Sequence, residues 1–214
     1  MVLKVILSLL AAYLIGAIPS AYLFARFWKG IDIRKFGSGN VGATNAFRVL
    51  GKLPGILVLI VDILKGLICP TLIANFVKIP QMEIWLISLG ITAVAGHNWT
   101  IFLNFKGGKG MATGLGVLLG LAIKIPSIRV VLALTVGVWM VIFFMFKFVS
   151  LASIVAGICL PIFMALFNQP LPFVILGIIF CLFVAVRHKS NISRLLNKEE
   201  PQVRLSFLNR KRFL

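Results

Sequence analysis

Seven mostly apolar stretches follow one another along the chain, most of them close to the ~20 residues a helix needs to cross a bilayer. They cover about 3–27, 53–77, 84–103, 111–125, 128–146, 149–168 and 171–187, the fourth being short and rich in glycine. Of the 214 residues, 60% are hydrophobic and only 13% charged, whereas a soluble domain carries about a quarter charged residues. There is too little polar surface to coat a water-soluble globule. The expected fold is all-α: a polytopic integral membrane helix bundle of about seven transmembrane helices, forming one domain over residues 1–214. The first run starts after Lys4 and stays apolar to about Phe27. That is too long for a signal-peptide core and no A-x-A site follows, so it reads as a retained span. Cys69, Cys159 and Cys181 lie scattered in apolar runs, which suits core thiols rather than a disulfide framework or a metal site.

Seven spans put the termini on opposite sides and sort the connections into two faces. One face takes the 28–52 and 104–110 loops, the turn near Lys147 and the basic tail 187–214. The other takes the N-terminus and the turns at 78–83, 124–129 and 168–170. Of the 22 Lys and Arg, only Lys4, Lys78, Lys124 and Arg129 fall on the second face, Lys65 lies inside the second span, and all the rest belong to the first. Lys and Arg mark the cytoplasmic side, so the N-terminus is expected outside and the C-terminus in the cytoplasm of a cell inner membrane. The net charge of +17 then reads as orientation signal and attraction to anionic membrane lipids. No basic domain stands apart from the spans to suggest nucleic acid, and nothing points to an obligate protein partner.

The unusual polar residues all gather on the basic face, in 37–48 (GSGNVGATNAFR), 96–114 (GHNWTIFLNFKGGKGMATG), 147–153 (KFVSLAS) and 187–196 (RHKSNISRLL). Four non-adjacent clusters on one face predict one composite site. Gly37, Gly39 and Gly42 match the spacing G-x-G-x-x-G, and Asp62 lies where a ribose-binding acid would stand. Yet no βαβ unit surrounds them and Asp62 is inside an apolar span, so the dinucleotide fingerprint fails on context. Ala43-Thr44 stands where a phosphate-binding P-loop needs Lys-Ser/Thr. What survives is the physics those loops share. Glycines let backbone N–H groups approach a ligand, a helix starting near Val41 favours an anion at its N-terminus, Ser38, Asn40, Thr44 and Asn45 add donors, and Arg48 can fork onto phosphate. A plain flexible loop has little use for that donor density. Lys106, Gly107, Gly108 and Lys109 repeat the chemistry with point charges, against the plainer alternative of interfacial lysines and packing glycines.

His97, beside Asn98 and Trp99, suits an interfacial structural role as well as a functional one. His188 shares a helix face with Asn191 at i+3, flanked by Arg187 and Arg194. Asp62 and Lys65, at i and i+3 within a span, are expected to pair. No His-x-x-x-x-Asp dyad and no loop carboxylate pair is present, since Asp32 stands alone and Glu199–Glu200 fall in the tail. A Ser–His arrangement of Ser38 or Ser150 with His188 stays open. No metal-ligand cluster appears. Such a cation-rich, base-poor site at the lipid interface suits a substrate that brings its own phosphates and needs positioning and charge stabilisation.

Taken together, GSGNVGATNAFRVLG, VDILKG, GHNWTIFLNFKGGKGMAT, VSLASI and H-x-x-N-I-x-R-L-L followed by Glu200 resemble the bacterial acyl-phosphate-dependent glycerol-3-phosphate acyltransferases (the PlsY family) over nearly the whole chain. Lys198 departs from the pattern, where many members carry Gly. The resemblance implies transfer of a fatty acyl group from acyl phosphate to the sn-1 hydroxyl of glycerol 3-phosphate. It implies lysophosphatidic acid and phosphate as products, neither metal nor cofactor, seven spans and a cytoplasmic active site. It assigns Ser38, Gly39 and Asn40, with nearby N–H groups including those of Gly37 and Gly42, to the acyl-phosphate head. Arg48, Lys106 or Lys109, His188 and Asn191 go to glycerol 3-phosphate, and Ser150 to the site wall. The base is then either His188 or a substrate phosphate oxygen. The competing class is a phosphate or organic-anion carrier, though such a carrier needs its polar groups near mid-membrane.

Overall fold

A chain that must satisfy its backbone polar groups inside lipid does so most simply as helices, and helices are what the apolar runs form. The computed structural model describes residues 1–77 and 82–203. Lys78, most of the 78–83 turn, and the tail cations Arg204, Arg210, Lys211 and Arg212 lie outside them. The helices are α1 (Val2–Ala17), α2 (Ser20–Lys29), α3 (Ala43–Leu50), α4 (Lys52–Thr71), α5 (Met82–Asn98), α6 (Met111–Lys124), α7 (Ile128–Phe146), α8 (Val149–Leu166), α9 (Leu171–Arg187) and α10 (Lys189–Leu196).

Each expected apolar run is helical, but not all are simple spans. Four segments among the described residues, Lys52–Phe76, Met82–Leu103, Ile128–Phe146 and Val149–Leu166, are long and apolar enough to cross alone. The first run, expected to continue unbroken to Phe27, bends by 42° between α1 and α2. Pro19 has no N–H to donate and keeps Ile18 out of the helical region, where its φ is −53° and ψ 115°. The carbonyls freed by the break find partners on other helices. Thr100 Oγ1 donates to Ala17 O at 2.6 Å and Lys65 Nζ to Ile18 O at 2.9 Å. Helix α6 has 14 residues, about 21 Å at ~1.5 Å per residue, short of the ~30 Å hydrocarbon core.

Glycines decide which helices touch most closely. A Cβ on Gly66 of α4 would lie 2.1 Å from Thr113 O, and one on Gly116 of α6 1.9 Å from Ile63 O. Those two backbones therefore press together as only small residues allow. Gly16 and Gly96 serve the α1–α5 crossing in the same way, with Ala93 O and Tyr13 O in the path of any side chain. Leu86, Leu89, Leu121, Met164, Phe173 and Leu176 fill the core between α5, α6, α8 and α9. Helix α7 is mostly exposed and packs against α8 and α6. The three cysteines are free, Cys69 fully buried. Asp62 and Lys65 pair as expected, at 2.8 Å, with Ser20 Oγ donating to the same Asp62 oxygen at 2.6 Å.

Candidate active site

The four polar clusters come together at one end of the bundle, around two cavities that share Ser38, Asn40 and Lys109. The smaller, of about 680 Å³, is lined by cations from Arg34, Lys106, Arg187, Lys189 and Arg194. The larger, of about 1060 Å³, has Thr44, Arg48, His188 and Asn191 at its polar end. It then runs down between α4, α6, α7 and α8 among leucines, valines and phenylalanines.

The glycine-rich turn is held from within. Asn45 is fully buried. Its Oδ1 accepts the Ser38 N–H at 2.9 Å while its Nδ2 donates to Phe36 O at 3.1 Å and to Ile33 O at 3.4 Å. Gly39 N–H closes the turn on Phe36 O at 3.0 Å. Asn45, expected as a ligand donor, is therefore a strut: helix α3 carries its side chain under the loop, where three backbone groups need it. Gly37 serves the same strut, because a Cβ there would stand 2.3 Å from Asn45 Oδ1. Gly37 and Gly39 both take positive φ, +59° and +70°, the region that costs a side chain most. Helix α3 begins at Ala43 rather than Val41, with Gly42 as its N-cap. Gly42, Ala43 and Thr44 line the large cavity, so the start of a helix, where N–H groups lack intrahelical acceptors, faces it.

The second glycine pair is likewise committed. Gly107 N–H bonds Asn98 O at 3.2 Å and Gly108 N–H bonds His97 O at 3.0 Å. Arg187 forks onto the carbonyls of Gly108 and Gly107 at 2.9 and 2.6 Å. Side chains at either glycine would strike His97. Their N–H groups, expected to serve substrate, instead seat the loop on the end of α5 and leave Lys109 to face the cavities. Lys106 lines only the smaller one. His97 lines the larger, with Nδ1 3.7 Å from Asp62, so it stands between the loop and the buried ion pair.

At the centre is Glu200, which the sequence placed in the last motif but gave no role in the site. The Glu200 side chain is only 5% exposed, its Oε1 accepting from Ser150 Oγ and Asn191 Nδ2, both at 2.6 Å. Its Oε2 takes Arg194 Nε at 2.8 Å. Asn191 Oδ1 in turn accepts from Lys109 Nζ. The signals for it were its place after the last motif and an acid inside a basic tail. Burial pushes the Glu200 carboxyl up, but the bonds from Ser150, Asn191 and Arg194 outweigh that and hold it below its ordinary range. Burial drives Lys109 the other way, down to about 8, with the charge of Glu200 opposing and nearby arginines adding to the effect. Asp32, which stood alone in sequence, is held at about 2 chiefly by its hydrogen bond with Arg34.

Ser150 thus donates its hydrogen bond to Glu200 and not to His188. His188 is buried where α9 meets α10, two helices bent by 63°. Its Nδ1 lies 2.9 Å from Val184 O. A carbonyl only accepts, so Nδ1 carries the proton of a neutral ring and Nε2 is left as an acceptor. The tail continues past Lys198, which adopts the left-handed φ of +59° that suits glycine. Val203 N–H then donates to Lys147 O at 2.9 Å.

Comparison with known proteins follows this geometry closely. The family model described as glycerol-3-phosphate acyltransferase matches residues 6–198. A glycerol-3-phosphate acyltransferase of Desulforamulus reducens is 43% identical over 198 residues, covering 92% of this chain and 94% of that one. One of Prochlorococcus marinus is 42% identical over 202 residues, covering 92% and 98%. The crystal structure of PlsY, an integral membrane glycerol 3-phosphate acyltransferase, in its glycerol 3-phosphate form superposes with a TM-score of 0.83 at 37% identity, over 93% of this chain and 95% of that one. Its lysophosphatidic acid form gives 0.80 at 36% identity, over 92% and 94%.

Proposed function

The chain belongs to the glycerol-3-phosphate acyltransferase family, and from that premise we propose that it moves a fatty acyl group from acyl phosphate to the sn-1 hydroxyl of glycerol 3-phosphate. The products are lysophosphatidic acid and inorganic phosphate. One observation carries the reading: the cationic end of the large cavity opens directly into an apolar passage between helices, so one molecule with a phosphate head and a hydrocarbon chain fits along it.

The acyl chain lies in the apolar passage. The acyl-phosphate head rests against Ser38, Asn40 and the start of α3. Arg48, Lys109, His188 and Asn191 take glycerol 3-phosphate at the polar end, with Ser150 in the wall. Lys109 is chosen over Lys106 because it lines both cavities and bonds Asn191. The hydroxyl oxygen attacks the acyl carbonyl carbon, the carbon–oxygen bond to phosphate breaks, and phosphate leaves with the electron pair. Lys109 and Arg48 stabilise the charge on that leaving group. The hydroxyl proton goes to a phosphate oxygen, because the carboxylate at the centre, Glu200, is already taken up by three donors. His188 positions the acceptor through Nε2. The N-terminus lies outside, and the site faces the cytoplasm of the inner membrane.

A carrier would need the same cations but would release its anion unchanged across the membrane. Proteoliposomes given acyl phosphate and radiolabelled glycerol 3-phosphate separate the two. Label in lipid-extractable lysophosphatidic acid is the expected result. Label accumulating inside as intact glycerol 3-phosphate, with none in lipid, overturns the reading.

A further inference from the structure

The large cavity has a blind end. Its deepest lining residues are Leu118 of α6, Leu132 of α7 and Leu160 of α8. Immediately beyond them Leu121, Ile128, Val131 and Met164 are fully buried in the core. From Ser150 at the polar end to Leu160 is ten residues of α8, about 15 Å at ~1.5 Å per residue. That is about half the ~30 Å hydrocarbon core, the depth one leaflet offers a lipid chain.

Gly114 distinguishes this passage from ordinary packing. Two residues further on, Gly116 is glycine because α4 leaves it no room, with Ile63 O 1.9 Å from any added Cβ. At Gly114, which lines the cavity, an added Cβ meets nothing nearer than the Phe180 ring at 3.7 Å. Gly114 lies in the first turn of α6, and helix packing does not require a glycine there. Its effect is to keep the passage wide one turn above Leu118.

We propose that Leu118, Leu132 and Leu160 form a floor that sets the longest acyl chain the enzyme accepts, and that Gly114 keeps the way to that floor open. The inference rests on the acyl-transfer reading above. A chain longer than the passage must fold back or displace the floor, whereas one that fits lies among apolar side chains as it would among lipid tails. Leu132 is the least buried of the three, and α7 faces outward, so the floor yields most readily there.

The test measures kcat/KM for acyl phosphates of graded length with wild type, Leu132→Ala, Leu160→Ala and Gly114→Leu in the same lipid. Removing floor volume should move the fall-off in kcat/KM to longer chains than wild type accepts. Gly114→Leu should lower the ratio of long-chain to short-chain kcat/KM at least tenfold. Should Leu160→Ala fail to fold, Leu132→Ala and Gly114→Leu still decide the matter, since neither empties a packed core site. Active variants with the wild-type length profile overturn the floor. Wild type inactive with every length overturns the acyl-transfer reading itself.

Discussion

At the scale of single residues, the site is built from side chains and glycines that support one another before any substrate arrives. Gly39 shows how narrow the tolerance is. Its φ is +70° and an added Cβ would lie 3.0 Å from Arg34 O, so alanine strains the turn that presents Ser38 and Asn40. A strain of ~1–2 kcal/mol for a left-handed residue, passed to the binding conformation, is worth about tenfold in rate. Gly39→Ala should lower kcat/KM about tenfold while its thermal unfolding midpoint in detergent stays near that of wild type. Lys109 gives a pH signature. It is charged below about 8 and neutral above, so the KM for glycerol 3-phosphate should rise as pH passes through 8. Stability should move oppositely. Between about 8 and 10.5 the unfolded chain binds the Lys109 proton and the folded one does not, so this group makes unfolding harder as pH rises. A KM profile flat across pH 8 would contradict the role given to Lys109. His188→Ala should weaken glycerol 3-phosphate binding more than it slows single-turnover acyl transfer from saturated enzyme; normal binding with lost chemistry would make His188 the base.

Among the elements, the break between α1 and α2 matters most, because α2 leads into the turn that carries Ser38. It is pinned by charge inside the membrane: Lys65 holds Ile18 O and Asp62 together, and Ser20 completes the cluster. Removing one partner of a buried pair costs about 3–5 kcal/mol, while replacing both by apolar groups is often nearly neutral. Lys65→Ala should therefore lower the unfolding midpoint sharply, and Asp62→Asn combined with Lys65→Met should recover most of the loss. Equal loss in the single and double variants would mean that the pair does not stabilise the break. The sequence announced the pair by its i, i+3 spacing. It hid the break, because a proline in an apolar run does not reveal which side chains will meet the freed carbonyls. The same limit explains Asn45 and Glu200. Composition marked Asn45 as a donor near glycines, but its burial depends on where the preceding loop folds. Glu200 is an acid in a basic tail until the tail crosses to α8.

For the molecule as a whole, apolar length and the distribution of Lys and Arg made the membrane class and the convergence of the polar clusters legible. Side-chain commitments, such as the Gly107–Gly108 seat on α5, depend on contacts between elements far apart in sequence. The resulting architecture sets a water-facing cationic pocket against a lipid-shaped passage, meeting at Ser38, Asn40 and Lys109. In the proposed acyl transfer the acyl carbon, not phosphorus, is the atom attacked. Acyl phosphate labelled with heavy oxygen at the bridge between carbon and phosphorus tests this directly. Turnover with glycerol 3-phosphate should place the label in inorganic phosphate and yield unlabelled lysophosphatidic acid in equal amount. Label retained in free fatty acid, or phosphate released without lysophosphatidic acid, would contradict the account.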